Sequence, residues 1–60
     1  MLQRLRQARK DAGYTQAEVA KIFGKYSSFV SKIEMGERRL DPMELQDLAR
    51  LYGKPVGHFL

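Results

Sequence analysis

The stretch Thr15–Gly36 reads TQAEVAKIFGKYSSFVSKIEMG, and its pattern decides the fold. Thr15 and Glu18 form a capping box, because the threonine hydroxyl can accept an N–H of the first turn while the glutamate reaches back. The apolar residues that follow predict a helix over Gln16–Phe23. After a turn that begins with glycine, the spacing predicts another helix over Ser27–Met35. The stretch therefore predicts two short helices joined by a tight glycine turn.

Three more helices are predicted around this pair. Before it, apolar residues recur at spacings of three and four until a glycine stops the helix: Leu2, Leu5, Ala8 and Ala12. After it, Asp41–Glu44 (DPME) is a strong helix start, with an aspartate cap and proline at the first helical position. Pro55–Phe59 can form a last short helical turn. Because no segment alternates with the period of a strand, residues 1–60 are expected to form one all-α domain, a compact bundle of five short helices.

The composition excludes several classes of protein. The chain has no cysteine, which excludes disulfides, thiolate metal sites and cysteine nucleophiles. A single histidine, His58, cannot build a zinc site without several carboxylates. Ser28 and Lys32 lie one helical turn apart, but a catalytic lysine must be buried to lose its proton near neutral pH, and this one is expected to point outward. We therefore expect no enzymatic activity, no catalytic residue, no metal and no cofactor.

The charge and hydropathy patterns indicate the compartment and the kind of partner. No run of apolar residues approaches the length of a membrane span, so we expect a cytoplasmic protein. The formal net charge is +4. Residues 1–32 carry seven Lys or Arg against two acids, whereas residues 33–60 carry four against five. A basic first half favours a polyanionic partner such as nucleic acid, and the alternative is a solvated basic surface.

The third predicted helix has two different faces. Placing its residues 100° apart puts Val30, Ile33 and Glu34 on one side. The other side is small, polar and basic, with Ser28 and Lys32 on it. Such a helix can enter a major groove about 12 Å wide and touch base edges and phosphates. The alternative is an ordinary solvated face.

Glu34 shares its face with apolar residues and therefore needs a partner. A buried carboxylate must be paired, and Arg9 lies four residues after Leu5 on the inner edge of the first helix. We predict a structural ion pair between Arg9 and Glu34.

Helix, glycine turn and helix form the layout of a helix-turn-helix motif. Over Tyr14–Leu60 the sequence resembles the helix-turn-helix domains of phage repressor and Cro-type regulators, a large group of bacterial and phage transcription factors. The matching residues are Thr15-Gln16, Val19-Ala20, Gly24, Ser31-Lys32-Ile33-Glu34, Gly36, Arg38, Leu45, Leu48-Ala49 and Gly53. With Leu5 and Arg9 the resemblance covers nearly the whole chain.

The resemblance implies a DNA-binding domain whose third helix reads the major groove. It places base reading on Ser27, Ser28 and Lys32, and contacts to the phosphate backbone on Gln16, Arg38 and Arg39. We also expect Ser31 to read bases and Lys25 to contact phosphate. In the family, the residue at Arg9 pairs with the one at Glu34, in agreement with the burial argument.

This chain departs from the family pattern at the turn. Lys25 replaces a small apolar residue, and Tyr26 replaces the usual Ser or Thr cap of the third helix. A tyrosine cannot cap its own helix, so Ser27 can take over that task. Phe29 has two possible roles, contact with a thymine methyl group or inward packing beside Ile33, and inward packing is favoured.

These observations predict a sequence-specific regulator of transcription, a repressor that binds double-stranded DNA as a homodimer. Leu51, Phe59 and Leu60 are predicted to form an exposed apolar patch through which a two-fold dimer assembles. No membrane and no small-molecule ligand is expected. The alternatives are a protein-binding module of the antitoxin type and a controller protein that also activates.

Overall fold

A computed structural model of the protein describes residues 2–60, and the regular elements in that range are all helical. They are α1 (Leu2–Asp11), α2 (Gln16–Ile22), α3 (Ser28–Glu34), α4 (Pro42–Tyr52) and a 3-10 turn (Val56–Phe59). The expected all-α fold is confirmed, but the expected count of five helices is wrong, because the described residues form four α-helices and one 3-10 turn. The last segment holds only 3-10 bonds, such as His58 N–H to Pro55 O at 3.0 Å, and it contains Gly57, a poor helix former.

The two capping boxes position the starts of α2 and α4. Thr15 Oγ1 accepts the Glu18 N–H at 3.1 Å, and a Glu18 carboxylate oxygen accepts the Thr15 N–H at 2.8 Å. Asp41 and Glu44 exchange the same pair of bonds at the start of α4. Both starts agree with the sequence prediction.

The start of α3 does not follow the prediction. Ser27 occupies the cap position, but its hydroxyl caps nothing. A capping side chain needs an extended backbone at its own residue, and Ser27 has helical angles, φ −59° and ψ −30°. Its hydroxyl is therefore left for other partners.

A glycine in the left-handed region makes the turn between α2 and α3. Gly24 has φ +68°, a conformation that costs glycine little. The next N–H, that of Lys25, reaches back to the Ala20 carbonyl at 2.8 Å and closes the end of α2. This turn brings α3 across α2, and the two helices pack directly on each other.

The core lies between the four helices and the 3-10 turn. It contains Leu5, Ala8, Val19, Ala20, Phe29, Val30, Ile33, Leu45, Leu48, Ala49, Tyr52 and Phe59. Phe29 is 1% exposed, so the favoured inward role is confirmed.

The prediction of an exposed apolar patch made of Leu51, Phe59 and Leu60 is wrong. Phe59 is fully buried, and Leu51 packs against the core. Of its three members only Leu60 is largely exposed.

The burial of Tyr52 predicts that the free energy of unfolding falls at alkaline pH. Burial raises the pKa of this phenol to about 12, and the charge of Glu34 acts in the same direction. An unfolded tyrosine ionises near pH 10, so the contribution of Tyr52 to stability is constant below that value and is lost as pH rises from about 10 to 12. Tyr52→Phe should flatten this fall in thermal unfolding followed by circular dichroism. The exposed Tyr26→Phe is the matched control and should keep the parent profile.

Candidate nucleic-acid interface

The four residues predicted to read bases lie on the outer face of α3 and at its cap position. Ser27 and Lys32 are exposed, and Ser28 and Ser31 are half-buried. The Ser31 hydroxyl donates to the Ser28 carbonyl at 3.1 Å, so its proton is used within the helix and its oxygen can only accept further bonds. The structure therefore brings these four side chains together as a surface of small hydroxyls with one ammonium group.

Tyr26 belongs to this surface, a place that its inability to cap α3 did not predict. Its ring is exposed, and Lys32 Nζ lies 5.7 Å from the ring centroid. A cation over an aromatic face at this distance is attractive. The signal in the sequence was a large aromatic residue in the turn, at a position that the core-facing spacing does not use.

The predicted ion pair between Arg9 and Glu34 is confirmed. Arg9 Nε donates to a Glu34 carboxylate oxygen at 2.8 Å, Arg9 Nη2 donates to the other at 3.3 Å, and the two side chains are 8% and 6% exposed. The hydrogen bond to Glu34 raises the pKa of Arg9. Arg9 Nη1 also donates to the Tyr14 carbonyl at 2.8 Å. The pair joins α1 to the end of α3 and to the segment that leads into α2.

Gln16 also binds Glu34, a contact that the sequence argument missed. Its side-chain Nε2 donates to a Glu34 oxygen at 3.1 Å. An amide nitrogen carries two hydrogens, so a second one remains for another acceptor. Gln16 is half-buried at the first turn of α2. Its role in holding α2 against α3 could not be found from helix spacing alone.

Two of the predicted phosphate-binding cations lie over the ring of Phe29. Lys25 Nζ is 5.8 Å from the ring centroid, and Arg38 Cζ is 4.8 Å from it. Arg38 also forms two parallel hydrogen bonds to Glu44, at 2.8 and 3.0 Å. These bonds lower the pKa of the Glu44 carboxyl. The predicted phosphate contacts are thus not equivalent, since Arg38 is paired whereas Arg39 is exposed.

Lys32 is flanked by two further cations, and the three come from consecutive segments of the chain. Lys25 lies in the turn before α3, Lys32 on α3, and Arg39 in the loop after α3. The acid of α3, Glu34, points inward to Arg9. The arrangement can attract a phosphate backbone and present hydroxyl and ammonium groups to base edges.

Over residues 2–60, no three or more His, Asp or Glu side chains come close enough to hold a metal ion. None of the described helices has the length and apolar character to cross a membrane. A groove between α2 and α4 is lined by Ile22, Phe23, Asp47, Arg50 and Leu51.

Comparison with known proteins gives one finding. A family model described as helix-turn-helix matches residues 5–59, which include all of α2, α3 and α4. No curated protein and no solved structure matches the chain. Because the family model covers nearly the whole chain, the protein belongs to the helix-turn-helix family found in phage repressors and Cro, a family of DNA-binding transcriptional regulators.

Proposed function

We propose that this protein is a sequence-specific repressor of transcription that inserts α3 into the major groove of double-stranded DNA. One observation supports this most strongly. The outer face of α3 combines small hydroxyl side chains with Lys32, and the acid of the helix is turned inward. A helix that carries short side chains can approach the floor of the groove, and a lysine can reach O6 and N7 of guanine.

The proposed roles divide into reading and positioning. Lys32 reads a guanine, and the hydroxyls of Ser27, Ser28 and Ser31 contact neighbouring base edges. The backbone phosphates are bound by the second amide hydrogen of Gln16 and by the cations Lys25 and Arg39. Phosphate contacts carry no base identity, so these last three residues supply affinity and register.

A homodimer is proposed as the form that binds DNA. A single α3 that contacts bases through three serines and one lysine discriminates few base pairs. Two copies related by a two-fold axis would read both halves of a palindromic operator, with half-sites about 34 Å apart, one turn of DNA.

Mutation of one reading and one positioning residue tests this proposal. The operator is first obtained by selecting bound sequences from a random DNA pool. Binding constants are then measured on that operator and on a random duplex at several salt concentrations. We expect Lys32→Ala to lose about 1–3 kcal/mol on the operator and much less on random DNA, because its guanine contact exists only on the operator.

Arg39→Ala should behave differently. It should weaken binding about equally on both duplexes and reduce the salt slope by about one unit. Lys10→Ala is the matched control, since it removes one exposed cation from the end of α1 and should change neither quantity appreciably. Equal losses for Lys32→Ala on both duplexes would make it a phosphate contact. A parent protein that binds no duplex even at low salt would contradict DNA binding and favour a protein-binding module.

A further inference from the structure

We propose that Arg38 is a positioning residue, which fixes the loop between α3 and α4 so that Arg39 meets the DNA backbone, and that Arg38 itself binds no phosphate. This inference rests on the proposed DNA binding. It departs from the sequence-based expectation, in which Arg38 and Arg39 contact the backbone side by side.

Three of the five N–H groups of the Arg38 guanidinium donate to protein acceptors. Nη1 and Nη2 donate to the two oxygens of Glu44 at 2.8 and 3.0 Å, the two-pronged geometry that is strong for arginine and carboxylate. Nη1 also donates to the Arg39 carbonyl at 3.2 Å. The side chains of Arg38 and Glu44 are 34% and 17% exposed. A phosphate could use only the two remaining N–H groups, on a guanidinium whose charge is already offset by the Glu44 carboxylate.

Arg38 joins three parts of the interface. Its Cζ lies 4.8 Å from the ring centroid of Phe29, the buried aromatic residue of α3. Its backbone N–H donates to the Lys32 carbonyl at 3.3 Å. Its partner Glu44 belongs to the capping box that begins α4. The side chain therefore spans from α3 to the first turn of α4, and the loop is held between the two.

Arg39 is the residue that this arrangement leaves for DNA. Its carbonyl is held by Arg38 Nη1, while its own side chain is exposed. Within residues 2–60 its guanidinium lies near no carboxylate at ion-pair distance. One arginine is thus neutralised and fixes the backbone, and the next is charged and accessible.

Substitution of Glu44 distinguishes a positioning role of Arg38 from a phosphate-binding role, because the two roles predict opposite changes in operator affinity. Glu44→Gln keeps an oxygen for the Asp41 N–H and removes one negative charge, and a neutral amide holds Arg38 less strongly than a carboxylate does. If Arg38 positions the loop, this variant should bind the operator roughly threefold or more weakly than Glu37→Gln. Glu37→Gln is the matched control, because it makes the same charge change in the same loop at an exposed acid. If Arg38 binds a phosphate, releasing it from Glu44 should make Glu44→Gln bind more tightly than the control.

A second set of variants gives an independent readout. In the parent protein, Arg38→Gln should weaken operator binding roughly threefold or more. In a protein that already carries Arg39→Ala, the same substitution should weaken binding less than about twofold, because Arg38 acts through Arg39. Arg38→Lys should bind the operator as weakly as Arg38→Gln does, since lysine keeps the positive charge but cannot form two parallel hydrogen bonds to Glu44. Circular dichroism at the assay temperature verifies that each variant is folded.

The results distinguish failure of this inference from failure of the proposed function. If the fold losses of Arg38→Gln and Arg39→Ala multiply in the double variant, Arg38 acts independently of Arg39 and binds a phosphate itself. Operator binding by Arg38→Lys as tight as that of the parent would mean the same. Either result would overturn the positioning role and leave DNA binding intact. A parent protein that binds no duplex would overturn both.

Discussion

Glu34→Ala is expected to lower the free energy of unfolding by about 3–5 kcal/mol, the loss typical of breaking a buried ion pair from one side. The substitution removes both carboxylate acceptors of Arg9, whose side chain is 8% exposed. The guanidinium keeps only its bond to the Tyr14 carbonyl. The amide of Gln16 loses its acceptor at the same time. A buried charge and a half-buried amide are therefore left without partners.

This loss is large for a protein of 60 residues. Typical stabilities per residue give a domain of this size roughly 3–9 kcal/mol in total. Glu34→Ala should therefore be partly or wholly unfolded at physiological temperature and should lose DNA binding for that reason. Urea unfolding at low temperature, followed by circular dichroism, measures the difference. Glu37→Ala, an exposed acid three residues further along, should stay within about 0.5 kcal/mol of the parent.

A paired substitution tests the physical cause. Arg9→Met combined with Glu34→Leu removes both charges and leaves apolar side chains of similar length. It should destabilise less than Glu34→Ala alone, because no uncompensated charge remains in the core. A Glu34→Ala variant within about 1 kcal/mol of the parent would contradict this account and show that water solvates Arg9 in its place.

The helix starts could be predicted from the sequence because capping is local. Thr15 with Glu18 and Asp41 with Glu44 lie three residues apart, and each pair satisfies N–H groups of its own first turn. Ser27 shows the limit of such reasoning. Whether a serine caps depends on its own backbone angles, and those of Ser27 lie in the helical region.

The partners of the charged side chains were harder to predict. Arg9 and Glu34 could be paired because a buried carboxylate demands a cation, and Arg9 lies four residues after Leu5 on the inner edge of the first helix. Glu44 was already assigned to the start of α4, so nothing in the sequence indicated that its carboxylate also binds Arg38. A carboxylate can accept several hydrogen bonds at once, and Arg38 uses that capacity across the loop. Such shared acceptors depend on the tertiary fold.

Phe59→Ala is expected to cost about 3–5 kcal/mol, the range for truncating a buried phenylalanine. The side chain is fully buried, and the 3-10 turn that carries it packs on α1 and α4. Arg4 Nη1 holds this turn by donating to the His58 carbonyl at 2.8 Å. The neighbouring Leu60 is 83% exposed and is the matched control, so Leu60→Ala should change stability by less than about 0.5 kcal/mol.

The same two variants separate a core residue from a dimer contact. A dimer interface built on Phe59 would make Phe59→Ala a folded monomer with parent-like urea unfolding. A core role makes it less stable whatever the state of association, and that is what burial predicts. Sedimentation velocity and urea unfolding on the same samples distinguish the two outcomes. If two copies do associate through this end of the molecule, Leu60→Ala should weaken the dimer without affecting the fold, because that side chain contributes exposed apolar surface and little to the core.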